Sequence, residues 1–159
     1  MKNKNELYAL SENEGDAIWF LDTLTFVKAT SKQTGGSYGL IEQLIAAGFE
    51  SPYHMHHNED ESFLLREGTA TFIYDGATFE AKAGDYIFLP RNIPHGFRVN
   101  TECRLLIFNT PGGFEEFVIE MSEPAKELCI PHGRTTDMEK LLATATKYNI
   151  DILGGLPPV

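Results

Sequence analysis

The stretch "GFESPYHMHHNEDESFLLREG", residues 48–68, holds three of the five histidines of the chain within four positions and continues into acidic residues. Residues two apart on a β-strand point to the same side, so His54 and His56 present both imidazoles to one side and Met55 points to the other. Glu61 opens the apolar run after the polar bend, and an antiparallel return brings its carboxylate back beside the pair. The stretch predicts two strands, joined by a bend, that share a chelating site.

A fourth candidate ligand, His95, follows a proline-rich turn in "GDYIFLPRNIPHGFRV", residues 84–99. Imidazole nitrogens from three histidines and one carboxylate oxygen suit a single divalent transition metal ion with coordination positions left open. Such donors accept Fe, Mn, Ni, Co, Cu or Zn, so the sequence does not identify the metal. The predicted metal ligands are His54, His56, Glu61 and His95.

Other polar residues near this cluster, or like its members, have different expected roles. His57 has the opposite strand parity to the pair, so we expect it to meet solvent or a neighbouring hydrogen-bond partner rather than the metal. We expect Glu59 and Asp60 to form a solvated bend, and His132, in "IPHGRT", to lie in a loop.

Outward from the site, short apolar or alternating runs separated by turn residues extend over residues 18–110, a pattern typical of a β-sandwich or β-barrel. The clearest hairpin is "TATFIYDGATFEAKA", residues 69–83, where Asp75 and Gly76 suit a two-residue type I′ turn. Four phenylalanines of these runs are expected in the core: Phe63, Phe72, Phe88 and Phe97.

Beyond Pro111 the apolar spacing becomes helical. The first helix carries Phe114, Phe117, Val118 and Met121. A second helix is predicted in "TTDMEKLLATATKY", residues 135–148, with Thr136 and Glu139 placed as a capping box. We therefore predict an N-terminal arm (1–17), an all-β antiparallel barrel or jelly roll (18–110) and a short helical C-terminal extension packed on the barrel (111–159).

Charge and cysteine content narrow the expected partners and location. The chain has 13 Lys and Arg against 23 Asp and Glu, a formal net charge of -10, which disfavours nucleic acid and anionic membranes as partners. The N-terminus has no unbroken apolar stretch of the kind that signal peptides carry, and no run has bilayer-spanning length. Cys103 and Cys129 are isolated and are expected to be reduced thiols. We expect a cytoplasmic protein.

The spacing of these residues resembles a known family. Gly48-x5-His54-x-His56-x4-Glu61-x6-Gly68 is similar to the first motif of the cupin superfamily, and Gly84-x5-Pro90 followed by His95 is similar to the second. The resemblance covers about residues 40–108 and implies a cupin jelly roll with a metal inside. Asn92 stands where the second motif usually has Gly, and Asn tolerates the left-handed conformation well. Asn100 lies one place later than the usual Asn, so no role is carried over to it.

Among cupins, the chain most resembles single-domain proteins similar to quercetin dioxygenases, through "H.HH..DE.F...EG" and "PGGFEEF". That resemblance implies a metal-dependent dioxygenase that acts on a flavonol-like or enolic small molecule and uses dioxygen. Glu61 would then be both a ligand and the catalytic base that removes a hydroxyl proton from the substrate.

Two other classes of function stay open. One is a metal-dependent isomerase or decarboxylase of a small polar metabolite, which needs cationic groups in the pocket to hold an anion. The other is a non-enzymatic small-molecule-binding cupin. The resemblance also implies a homodimer. The apolar stretch "YGLIEQLIA", residues 38–46, supports this expectation, because it suits an edge strand that a partner covers.

Overall fold

The computed structural model of the protein describes residues 6–159, and the first five residues of the predicted N-terminal arm lie outside that range. Ten strands form one antiparallel sheet in the described part of the chain. The elements are β1 (Asp16–Phe20), β2 (Thr23–Ala29), α1 (Ser31–Thr34), β3 (Gly39–Ile45), β4 (Tyr53–His56), β5 (Asp60–Tyr74), β6 (Ala77–Lys82), β7 (Tyr86–Leu89), β8 (His95–Thr110), α2 (Phe114–Met121), β9 (Glu123–Pro124), α3 (Met138–Lys147) and β10 (Ile150–Gly154). The predicted all-β antiparallel class with short helices is confirmed.

Two long strands, β5 and β8, bring the parts of the sheet together. They pair with each other over most of their length, and β5 also pairs with β6 and β7 while β8 also pairs with β3 and β4. Their register shifts at three places between Leu65 and Ala70, where an irregular ladder increases the local twist. Gly68 lies in this segment with φ 83°, and a Cβ there would collide with the carbonyl oxygen of Glu102. This position requires glycine.

The predicted hairpin is confirmed. Tyr74 of β5 pairs with Ala77 of β6, and Asp75 and Gly76 between them have φ values of 45° and 76°. Both positive φ values are those that a type I′ turn requires.

The core lies between the inward faces of the strands. Phe63, Phe72 and Phe97 pack as an aromatic cluster with ring centroids 5.0–5.8 Å apart. The prediction for Phe88 was wrong: β7 alternates buried and exposed residues, and Phe88 is on its outward side, 52% exposed. A shift of one residue in the register of a strand reverses which side chains face the core, and the sequence of this short strand does not determine its register.

Strand β3 is also not the edge strand that its apolar composition suggested. It lies between β2 and β8 and is hydrogen-bonded on both sides. Its apolar residues are explained by burial inside the sheet, so the edge-strand reasoning for a homodimer does not hold.

The segment after Thr110 contains the two predicted helices and, in addition, two strands that the sequence analysis did not predict. β9 pairs with β1, and β10 pairs with β4. Helix α3 begins one residue later than the predicted capping box, because Asp137, not Thr136, is the N-cap and accepts a hydrogen bond from the backbone N–H of Lys140. The boundaries 1–17, 18–110 and 111–159 stay a prediction.

None of the helices in residues 6–159 is long and apolar enough to cross a membrane.

Candidate metal centre

The sheet brings the four predicted ligands to one point. His54 and His56 lie on β4, Glu61 is the second residue of β5, and His95 is the first residue of β8. One potential ligand atom from each side chain lies within 4.8 Å of the corresponding atoms of the other three. His54 pairs directly with His95 across β4 and β8, and their ring centroids are 4.5 Å apart. The cluster is able to bind a metal ion.

Hydrogen bonds fix which ring nitrogen of each histidine faces the centre. The Nδ1–H groups of His54 and His95 donate to the carbonyl oxygens of Pro52 (2.8 Å) and Ile93 (3.0 Å). Carbonyls only accept, so these two rings carry a proton on Nδ1 and leave Nε2 for ligation. The Nδ1 of His56 lies 3.1 Å from a carboxylate oxygen of Glu59. All three histidines therefore direct Nε2 to the cluster.

Two further contacts test whether these residues suit a metal. The Nε2 of His56 is buried and makes no well-aligned hydrogen bond among the described residues, although a Glu61 carboxylate oxygen lies near it. Glu61 Oε2 lies 2.9 Å from His95 Nε2 and 3.4 Å from His56 Nε2, with Glu61 itself only 2% exposed. A buried polar nitrogen without a partner costs free energy unless a ligand satisfies it, and three nitrogens with one oxygen suit Zn, Fe, Mn, Co, Ni or Cu. The donor set fits a divalent transition ion.

Glu59 corrects the prediction of a solvated bend. Its side chain is 2% exposed, and it forms a buried pair with His56. The bend between β4 and β5 turns this carboxylate inward, toward the ring that the preceding strand already directs to the site. Asp60 stays near the surface and pairs with Arg91. Carboxylates that hold the far nitrogen of a metal-binding histidine fix its orientation and raise its basicity.

The protonation of the cluster follows from burial and these contacts. Burial by itself lowers the pKa of His56, but the carboxylates of Glu61 and Glu59 outweigh it and raise the pKa to about 9. Burial, together with the neighbouring His95 and His56, lowers the pKa of His54 to about 3. Burial alone would raise the pKa of Glu61, but His56 and His95 hold it well below its usual range. A cation that binds must displace the proton on His56.

His57 lies outside the cluster, as its parity predicted. It is 39% exposed, and its ring nitrogens lie 2.9 Å from Asn92 Oδ1 and 2.7 Å from Asp151 Oδ2. Asn92 has φ 64°, the left-handed conformation expected where the family motif usually has Gly. His132 is exposed in a loop, as predicted.

Strand β10 holds the ligand strand in place, which the sequence analysis missed. Ile150 pairs with His56, Ile152 pairs with His54, and the backbone N–H of His57 donates to the carbonyl of Asn149. On its other side β4 pairs with β8 only between His54 and His95. The position of both histidines therefore depends on a strand almost one hundred residues further along the chain.

The cluster opens on a small cavity of about 60 Å³ inside the barrel. His54 and Glu61 form part of its wall, and most of the rest is apolar. The barrel contributes Phe63 and Phe97, and the C-terminal segment contributes Phe114, Leu141 and Ile152. The C-terminal helices and β10 therefore cover the site as well as support it.

Comparison with known proteins agrees with this geometry. The family model of the cupin domain matches residues 41–109 of the sequence. The chain is 28% identical over 118 residues to quercetin 2,3-dioxygenase of Bacillus subtilis, a match that covers 74% of this chain and 35% of that longer protein.

Solved structures agree on the fold. An RmlC-like cupin from Shewanella frigidimarina gives a TM-score of 0.59 at 18% identity, covering 72% of this chain and 99% of that one. The polyketide cyclase RemF from Streptomyces resistomycificus gives 0.57 at 21% identity, covering 66% of this chain and 80% of that one. Residues 41–109 therefore match a cupin domain, and these structural neighbours agree with its fold.

Proposed function

We propose that the protein is a metal-dependent dioxygenase acting on a flavonol-like or enolic small molecule. The observation that carries this proposal is the cluster of three histidines and Glu61 at the wall of a largely apolar, covered cavity. Sequence similarity to a quercetin 2,3-dioxygenase supports the same reaction class.

In this proposal His54, His56, Glu61 and His95 hold one divalent transition metal ion. The bound ion supplies Lewis acidity and redox chemistry toward an enol and dioxygen. Glu61 accepts the hydroxyl proton of the substrate, because it is the one carboxylate of the cluster and it lines the cavity where the substrate would bind. The three imidazoles keep the cluster together when Glu61 moves to take that proton.

The apolar wall has two roles in this reaction. It binds the carbon skeleton of the substrate, and it keeps water away from reactive intermediates. Ligand sites for drug-sized molecules usually enclose about 300 Å³ or more. A flavonol therefore requires the C-terminal cover to move, whereas a compact enol needs a smaller displacement.

The charges around the cavity weigh against the isomerase or decarboxylase alternative. No arginine or lysine of residues 6–159 lines the cavity. The four arginines considered from the sequence are paired with carboxylates elsewhere: Arg66 and Arg104 with Glu42, Arg91 with Asp60, and Arg98 with Glu50. A phosphate or dicarboxylate substrate would meet no cationic side chain there, and only the bound ion would offset its charge.

Oxygen uptake by the metal-restored protein tests the proposal. The metal bound after purification is identified by elemental analysis, and that metal is then restored to full occupancy. Flavonols and smaller enols are screened with an oxygen electrode, and Glu61→Gln is the matched variant. Oxygen consumption that depends on metal and on Glu61 supports a dioxygenase. Turnover without oxygen consumption indicates the isomerase or decarboxylase class, and binding without turnover indicates a binding module.

We also propose a homodimer, now on a different surface. On the outward face of β5, β7 and β8, four apolar or aromatic residues are 37–63% exposed: Leu64, Tyr86, Phe88 and Phe108. These residues are neighbours across the strands, since Ser62 pairs with Phe88 and Phe108 while Leu64 pairs with Tyr86. Contiguous exposed apolar faces commonly mark interaction surfaces.

The two free cysteines, Cys103 and Cys129, support the cytoplasm as the proposed location.

A further inference from the structure

Gln43 is a polar residue on the otherwise apolar inward face of strand β3. On β3 the inward positions are Ile41, Gln43 and Ile45, and Gln43 is 4% exposed. The residue lines the same cavity as His54 and Glu61. Burying an amide costs free energy unless both its nitrogen and its oxygen are hydrogen-bonded.

The orientation of this amide follows from counting protons on two buried threonines. The hydroxyl of Thr23 lies 2.7 Å from the carbonyl oxygen of Phe20, which can only accept, so Thr23 donates its single proton there. The hydroxyl of Thr25, 2.8 Å from Thr23 Oγ1, must then donate to Thr23. Both threonine oxygens are left as acceptors for Gln43, at 3.2 Å from Thr25 and 3.5 Å from Thr23. The amide nitrogen therefore faces the threonines.

The carbonyl oxygen of Gln43 is the atom left without a partner. The hydrogen bonds of the Gln43 side chain within residues 6–159 are made by its nitrogen, which leaves the oxygen open to the cavity that Gln43 lines. The other neutral hydroxyls of the cavity wall are already engaged, since Ser51 donates to Pro52 O and accepts from the backbone N–H of Phe97. Gln43 Oε1 is thus a hydrogen-bond acceptor held in place by the threonines in a mostly apolar cavity.

We propose that Gln43 is a specificity-determining residue whose Oε1 accepts a hydrogen bond from a hydroxyl or N–H group of the substrate. The substrate class is then a small enol that carries a second hydrogen-bond donor, away from the oxygens that approach His54 and Glu61. This assignment rests on the proposed function for the enolic end of the molecule. A buried acceptor built to receive a donor discriminates against analogues that lack it, because its own polar atom is then left unpaired.

Two hydroxypyrones provide a matched test. Allomaltol and kojic acid share the same metal-chelating enol and ketone, and kojic acid differs only by a hydroxyl on the ring methyl group. Binding of each to the Zn²⁺-loaded protein is measured by isothermal titration calorimetry, so no turnover is needed. One neutral hydrogen bond corresponds to about a tenfold preference of the wild-type protein for kojic acid. Gln43→Leu should abolish this preference without lowering the affinity for allomaltol, because allomaltol makes no hydrogen bond to Oε1.

Gln43→Met, which keeps the unbranched side chain, is the second variant, and zinc stoichiometry and thermal melting verify that each variant is folded. Equal affinity of wild-type protein for the two pyrones overturns the assignment, and this comparison requires no variant to fold. A preference that survives Gln43→Leu or Gln43→Met overturns it as well. If the dioxygenase proposal alone fails, no oxygen is consumed but the preference for kojic acid over allomaltol is still observed.

Discussion

Removal of the Glu59 carboxylate should weaken metal binding although Glu59 is not itself a predicted ligand. Its side chain is 2% exposed and lies 3.1 Å from His56 Nδ1. Loss of a partner that orients a ligating histidine typically lowers metal affinity by about 10- to 100-fold. In Glu59→Gln the amide oxygen still accepts from Nδ1–H without the charge, so we expect about tenfold. Glu59→Ala leaves Nδ1 without a partner, so we expect about 100-fold, or about 2.7 kcal/mol.

A second effect of the same substitutions has the opposite sign at neutral pH. Glu59 is one of the groups that raise the pKa of His56 to about 9, so its loss also weakens the competition of the proton with the metal. That competition is much weaker at pH 9.5, above the pKa of His56, than at pH 7. The loss of affinity should therefore be larger at pH 9.5 than at pH 7.

Chelator competition at both pH values measures this effect. Asp60→Asn is the matched control, because Asp60 is the adjacent carboxylate but pairs with Arg91 near the surface. It should bind metal like the wild-type protein. If Glu59→Ala binds metal as tightly as wild type at pH 9.5, Glu59 does not position His56 and the reasoning is refuted.

Four further outcomes are expected. Glu61→Gln should retain much of the metal but lose about 10²- to 10⁴-fold in oxygen uptake, because an amide cannot accept the substrate proton; uptake within a few-fold of wild type contradicts this. His57→Ala should keep its metal while His56→Ala loses most of it, and equal losses in elemental analysis would show that the parity is misassigned. Because the pKa of His56 is raised to about 9, metal affinity should fall as pH falls below 9, with proton release on binding; a pH-independent affinity in calorimetry contradicts this. Phe88→Glu should convert the proposed dimer to monomers in sedimentation, and a wild-type monomer at micromolar concentration refutes the dimer.

The clustering of His54 with His56 was predictable from sequence because it depends on local geometry. Two-residue spacing places His54 and His56 on one side of a strand whatever the strand pairs with. The turn at Asp75 and Gly76 was predictable for the same reason, since its conformation depends mainly on those two residues. The position of His57 outside the cluster was predictable for the same reason, because it follows from alternation along the strand.

Other features depend on contacts between distant segments, which periodicity does not encode. Glu59 was expected in solvent, and only the direction of the bend shows that it meets His56. Strand β10 carries no signal that it pairs with β4. The signal for Gln43 was present, because a polar residue occupies an inward position between Ile41 and Ile45, but only the threonine contacts give it a role.

The most direct test of the dioxygenase proposal is isotope labelling of the product. Metal-restored protein is incubated with a flavonol or smaller enol under ¹⁸O₂, and the organic product is analysed by mass spectrometry. A dioxygenase incorporates both labelled atoms, so the product should be heavier by two ¹⁸O atoms, and Glu61→Gln should form little of it. A product without label, or no product from any enol at full metal occupancy, would contradict the proposed function.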